Sequence, residues 1–152
     1  MSTSHVDERQ VGDSVGSIGK RRRNSSRLFF AAGAALGISV FLPWASIAGI
    51  VSSHMSGTGV AVMLLFAAAY GAIGSRAQSG HDSRALCAGA WSLNLVVGLV
   101  VFAVYHVLGK TEGIVAPAVG VFVASLGALV GIAATIMLHM TRSSQHIQGN
   151  AR

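Results

Sequence analysis

The chain has 152 residues, of which 52% are hydrophobic and only 11% charged, against about 25% charged in an ordinary soluble domain. Its formal net charge is +6 and it has a single cysteine, Cys87. These values exclude a water-facing surface of normal polarity, an intrachain disulfide and a C-x-x-C redox or zinc motif. Mean hydropathy is +0.61, and the apolar residues lie in long blocks, unlike the short alternations of a soluble core.

Residues 1–27 form a polar, basic tail. Ser, Gly, Asp and Arg are mixed through Asn24, and Lys20, Arg21, Arg22, Arg23 and Arg27 gather just before the first apolar block. Such a composition buries too little surface to offset ordering entropy, so disorder is expected here and again in residues 141–152. A basic cluster can serve nucleic acid, but beside a membrane span it points first to topology and to anionic lipid headgroups.

Four apolar blocks follow, at about 28–47, 58–75, 85–108 and 114–140, and none contains Asp, Glu, Lys or Arg. Each approaches or exceeds the roughly 20 residues that cross the hydrocarbon as a helix. Backbone groups in lipid must be satisfied within their own segment, so isolated blocks of this kind become helices. The connections are short: an uncharged Ser/Gly-rich stretch from Ala48 to Gly57, a polar one from Arg76 to Arg84, and a turn from Gly109 to Gly113. Short connections make consecutive helices antiparallel neighbours. The expected fold is therefore an all-α membrane protein with four transmembrane helices in an up-down bundle.

Orientation follows from the basic residues. With the N-terminus inside, the cytoplasmic face holds Arg9, Lys20, Arg21, Arg22, Arg23, Arg27, Arg76, Arg84, Arg142 and Arg152, and the outside holds Lys110 alone. Both termini are thus expected in the cytoplasm of a cell with an inner (plasma) membrane. Trp44 and Tyr105 fall near the outer ends of their blocks, and Tyr70, Phe29 and Phe30 toward the inner ends, as an interfacial aromatic belt would place them. Pro43 and Pro117 also fall near the outer face, Pro117 in the first turn of the fourth helix, where a missing N–H costs little. A competing reading makes residues 20–42 a signal peptide cleaved after Ala48, but its n-region is long and its h-region is already of span length.

Helices one and four each carry G-x-x-x-G, at Gly33/Gly37 and Gly127/Gly131. Small residues one turn apart let another backbone approach closely. In helix four Gly120, Ala124, Gly127, Gly131 and Ala134 share one face, and packing within the bundle is the first expectation, ahead of a dimer contact. Asn94 is the most polar residue deep in any span and needs a partner; Ser39, at a similar depth, is the expected one. Cys87, Trp91, Asn94, Gly98 and Tyr105 recur at helical spacing and could line one face, more plausibly for an interhelical hydrogen bond than for a solute. His54 and His106 both fall outside, but without a carboxylate or thiolate they make a poor metal site. No intramembrane carboxylate or basic residue supports ion coupling, and no Ser/His/Asp set, phosphate loop or metal triad is present. The expectation is no catalytic residue, no cofactor-binding residue, no metal ligand and no cofactor.

The stretch Phe41-Leu42-Pro43-Trp44-Ala45-Ser46, with Gly49 and Ser56-Gly57-Thr58-Gly59, resembles small, uncharacterised four-span membrane proteins of actinobacteria. Those have Leu-Pro-Trp at the outer end of helix one, a short Ser/Gly-rich outer loop and a Gly opening helix two. Pro117 to Phe122, with Gly127 and Gly131, is similar to their last helix. The resemblance implies topology and carries no catalytic residue; phages of such hosts encode small four-span proteins too. The expected function is that of a non-enzymatic membrane protein acting through lipids, a second copy or a membrane protein partner. The alternatives are a phage- or prophage-encoded factor for exclusion or lysis, and an oligomeric pore or carrier with an uncharged lining.

Overall fold

The structure, a computed structural model, describes residues 5–47, 51–80, 84–111 and 114–149. Its elements in order are α1 (His5–Ser39), β1 (Ala45–Ile47), β2 (Val51–Ser53), α2 (Gly57–Gln78), α3 (Arg84–Gly109), β3 (Val115–Pro117) and α4 (Val119–Gly149). The fold is helical, and three of its segments, Gly57–Gln78, Arg84–Gly109 and Val119–Ser143, are long and apolar enough to cross a membrane.

α1 differs from expectation at both ends. Helix runs back to His5, through the residues where disorder is expected. Once the apolar half of the helix is docked, nucleation is complete, and each further residue adds a hydrogen bond at little cost; no proline interrupts the run. The same reasoning covers α4, which continues past Met140 to Gly149. At its other end α1 stops at Ser39, well short of Ile47. Pro43 lies four residues on, and its ring would clash with the Ser39 carbonyl in a continuing helix. The chain leaves through two tight turns, Phe41 N to Ile38 O (3.1 Å) and Leu42 N to Ser39 O (3.2 Å). The freed Ser39 carbonyl accepts the Trp44 indole N–H at 2.7 Å.

The connections after α1 and α3 build a three-stranded antiparallel sheet of order β2-β1-β3, which the hydropathy pattern did not foretell. Ala45 pairs with Ser53 and with Pro117, and Ile47 with Val51 and Val115. Pro117 therefore sits in an edge strand, where its missing N–H is harmless; the first turn of α4, its expected place, begins two residues later at Val119. The residue proposed for signal cleavage, Ala48, lies outside the described residues.

Side-chain and backbone contacts fix the helix neighbours. Ser26 Oγ of α1 donates to Gly74 O of α2 (2.9 Å), and a β-carbon at Gly33 would lie 2.9 Å from Ala67 O, so the two helices run antiparallel. Ser25 Oγ donates to Ala134 O of α4 (3.1 Å), while Gly120 N at the other end donates to Pro43 O (2.8 Å). α3 meets α4 at Asn94 and again at Tyr105, whose ring packs edge-on to Phe122 at 6.5 Å. Phe29, Leu36, Met63, Tyr70, Val97, Val121 and Leu138 fill the space between the helices. The perimeter is apolar too: Leu95 is 66% exposed and Phe102 67%. Both sides of α3 are therefore built for an apolar medium.

Candidate functional site

Three helices meet at a buried polar cluster. Asn94 of α3 accepts a hydrogen bond at Oδ1 from the Tyr70 hydroxyl of α2 (2.6 Å). Its Nδ2 donates to Thr135 Oγ1 of α4 (2.7 Å) and to its own helix at Ala90 O (2.9 Å), with a longer contact to Gly131 O at 3.4 Å. Thr135 Oγ1 in turn donates to Gly131 O at 2.9 Å. Gly131 makes the room: a β-carbon there would lie 2.6 Å from Tyr70 Oη and 2.8 Å from Asn94 Oδ1. The Tyr70 ring reaches the cluster from a position stacked on Phe29, centroids 6.3 Å apart. The donors of the cluster are all committed to partners inside it: the Tyr70 hydroxyl to Asn94, the Asn94 amide to Thr135 and Ala90, and the Thr135 hydroxyl to Gly131. What the arrangement does is cross-link α2, α3 and α4, each interhelical bond contributing roughly 0.6–1.7 kcal/mol in a membrane.

The sheet end of the molecule is closed by Trp44. This residue is buried, not displayed in an interfacial belt. Its backbone N donates to Ser53 O (2.9 Å) and its carbonyl accepts from Ala118 N (3.1 Å). The indole lies against Gly120, where a β-carbon would come within 2.7 Å of Trp44 Cδ1 and 2.8 Å of Pro43 O. Gly120 N, in the first turn of α4 and without a partner inside its own helix, is thus satisfied by Pro43 O, and Ala118 N just before the helix by Trp44 O.

At the opposite, basic end, Lys20, Arg21, Arg23 and Arg27 are exposed on α1. Arg22 turns inward over Gly80, the residue that ends α2 with φ of 90°; its Nη1 is 3.3 Å from where a β-carbon would stand. A cation there faces the negative end of the α2 dipole. Arg84 and Arg142 complete this end on α3 and α4.

Several sequence expectations change. Asn94 is the buried amide it promised to be, but its partner is not Ser39, whose hydroxyl returns to Leu36 O in its own helix at 2.7 Å. Ser39 belongs to the sheet end because α1 stops there. The buried face of α3 is Leu86, Cys87, Ala90, Asn94 and Val97; Trp91 and Gly98 lie outside it and Tyr105 is half-buried. Tyr70 is fully buried among the helices, with its hydroxyl on Asn94. The small-residue face of α4 packs inside the molecule: Gly120 against Trp44, Gly127 against Ala32 and Ala35, Gly131 against Tyr70. His54 and His106 are both exposed, and His106 stacks on Phe102, centroids 6.1 Å apart. No three His, Cys, Asp or Glu side chains converge among the described residues. Sequence reasoning did not bring Tyr70 to the polar cluster, and it did not single out Thr135 at all. Its spacing of four from Gly131 on a helix rich in small residues is the one signal that could have found it.

Comparison with protein-family models, with curated proteins and with solved structures finds no match for this chain.

Proposed function

We propose that the chain is a four-span, non-enzymatic protein of a bacterial inner membrane, an up-down bundle with both ends in the cytoplasm. It works through the contacts its helices make with lipids, with a second copy or with another membrane protein. One observation carries this reading: α1 accompanies α4 along the apolar run of α4. Ser25 bonds beside Ala134 and Pro43 beside Gly120, so the segment from Ser25 to Trp44 traverses the same slab as α4 although its own apolar helix is short. The basic end, with Lys20, Arg21, Arg23 and Arg27 exposed, lies at the cytoplasmic leaflet and attracts anionic headgroups. The sheet end faces outward. A filled interior, with Phe29, Leu36, Tyr70 and Val97 fully buried, favours a contact role over a conduit through one bundle.

Labelling of single cysteines tests the topology. In a Cys87→Ala background, Ser52→Cys at the exposed edge of β2 should react with an impermeant maleimide in intact cells. Ser79→Cys and Asn24→Cys should react only after permeabilisation. Labelling of Asn24→Cys from the same side as Ser52→Cys would mean that α1 does not cross.

A further inference from the structure

α3 and α4 run antiparallel in a register set by two contacts, Asn94 with Gly131 and Thr135 near the middle and Tyr105 with Phe122 toward the sheet end. Extended toward the basic end, that register brings Arg84 level with Arg142. Seven residues separate Arg84 from Trp91, two helical turns and about 10 Å, so both lie on one stripe of α3, with Leu95 next along it. On α4 the same spacing puts the exposed His139 on the stripe of Ile132, and Arg142 on the stripe of Thr135, which meets Asn94 of α3. Between the stripes runs a groove of about 420 Å³, lined by Trp91, Ser92, Asn94, Leu95 and Ile132. It opens away from the core, since Trp91 is 46% exposed and Leu95 66%. Neither the Trp91 indole N–H nor the Ser92 hydroxyl makes a hydrogen bond to any described residue.

We infer that this seam is a binding site for an anionic phospholipid of the cytoplasmic leaflet. The inference rests on the membrane reading above. The charge order along the seam matches that ligand and no soluble one: two level arginines at the basic end, two donors about 10 Å further in, then an apolar channel. The headgroup layer is about 5–8 Å thick on each side of a 30 Å hydrocarbon core. With Arg84 and Arg142 at the phosphate, Trp91 and Ser92 therefore stand at the top of the hydrocarbon, where ester carbonyls lie. Donors left bare at that depth carry a desolvation cost, and an ester oxygen removes it. Leu95 and Ile132 then flank the first part of an acyl chain. Arginine suits the outer position because its planar fork takes phosphate oxygens in pairs. The cluster on α1 does not supply this site, because α4 stands between α1 and α3.

Fluorescence quenching in vesicles reads the site directly, because Trp91 lines it and Trp44 is buried at the far end. The full-length protein is placed in phosphatidylcholine vesicles containing a minor fraction of dibrominated phosphatidylglycerol or dibrominated phosphatidylcholine. A Trp91→Phe variant identifies the share of emission that comes from Trp91. A basic residue near an anionic surface changes affinity by about fivefold, so the brominated phosphatidylglycerol should quench Trp91 several-fold more steeply. Arg84→Gln/Arg142→Gln should remove the preference while leaving helical content by circular dichroism unchanged, and Lys at both positions should restore part of it. Neutralising Lys20, Arg21 and Arg23 should leave the preference in place. Equal quenching by the two lipids overturns the site, as does a preference that survives Arg84→Gln/Arg142→Gln or disappears with the α1 charges. Protein that remains soluble and is quenched by neither lipid would overturn the membrane reading itself, an outcome distinct from these.

Discussion

At the scale of single residues, the polar cluster around Asn94 makes the sharpest demand on sequence. Gly131→Ala places a methyl 2.6 Å from Tyr70 Oη and 2.8 Å from Asn94 Oδ1, so it must break the cluster that joins three helices. We expect it to destabilise the protein by about 2–4 kcal/mol, combining overpacking with lost hydrogen bonds. Tyr70→Phe alone removes one bond and should cost about 1 kcal/mol. Combined with Gly131→Ala it removes the 2.6 Å contact but leaves the ring carbon Cε1 at 2.7 Å, and the bond it deletes is already broken, so the double variant should be somewhat more stable than the sum of the single effects predicts. Unfolding in detergent against a denaturing detergent measures all three, and strict additivity would show that the hydroxyl does not press on Gly131. Asn94 was legible in the sequence because one amide among apolar residues must find partners. Its partner was not, because counting depth from the block boundaries assumes that helices one and three enter and leave at the same levels. Pro43 breaks that assumption by ending α1 at Ser39. Tyr70 escaped for a related reason: its position near a block end suggests an interface, whereas its ring length carries the hydroxyl to Asn94.

The elements show where hydropathy suffices and where it does not. Three apolar helices were readable, α3 almost to the residue at 84–109 against an expected 85–108, whereas α4 begins at Val119, five residues after its expected start, because β3 takes the head of that block. The short sheet was not, because Ser, Gly and Ala in a ten-residue connection carry no strand period. Its strands are fixed instead by what they meet, Trp44 and the first turn of α4. The glycines divide by element in a way that sequence alone cannot tell. At Gly33 a β-carbon meets Ala67 O at 2.9 Å, and at Gly127 it meets Ala35 Cβ at 3.1 Å. At Gly89 and Gly98 of α3 it meets nothing within 4 Å. Alanine at Gly33 or Gly127 should therefore loosen the contacts of α1 and cost about 1–3 kcal/mol. Alanine at Gly89 or Gly98 should be neutral or stabilise by up to about 1 kcal/mol, through helix propensity. Val121 makes no control for such a series, since it is fully buried; Leu126 and Leu129, both exposed, do. A uniform response at all four glycines would mean that the helices do not meet as described. Trp44→Phe belongs with this set. It keeps most of the packing but removes the shorter of the two hydrogen bonds that the Ser39 carbonyl accepts, leaving Leu42 N as its donor, for a loss of about 1 kcal/mol.

For the whole molecule, the proposed orientation rests on a summed charge difference, and α1 is the element through which it would act. Its basic residues stand on a continuous helix that leads directly into the proposed first span, and Lys20, Arg23 and Arg27 share a face at spacings of three and four. Each exposed basic residue at an anionic leaflet contributes about 1 kcal/mol, so in the proposed topology Lys20, Arg21, Arg23 and Arg27 together would hold the N-terminus inside by several times thermal energy. Arg22 is best left in place, since its contact over Gly80 serves the fold. Changing the other four to Gln leaves six basic residues on the proposed cytoplasmic side, namely Arg9, Arg22, Arg76, Arg84, Arg142 and Arg152, against Lys110 on the outer side. That alone should leave most molecules in the native orientation. Adding Ser52→Lys and His54→Lys, both exposed at the sheet end, narrows the difference further where the first crossing segment is least apolar. The combined variant should therefore populate both orientations, with Asn24→Cys labelled from the outside in a measurable fraction of molecules. Reverting only Lys20 and Arg21 should restore a single orientation, because the first helix weighs most in the choice. An orientation that stays fixed in the combined variant would show that the sheet end, once folded, resists translocation on its own, and that the charges serve lipid contact alone.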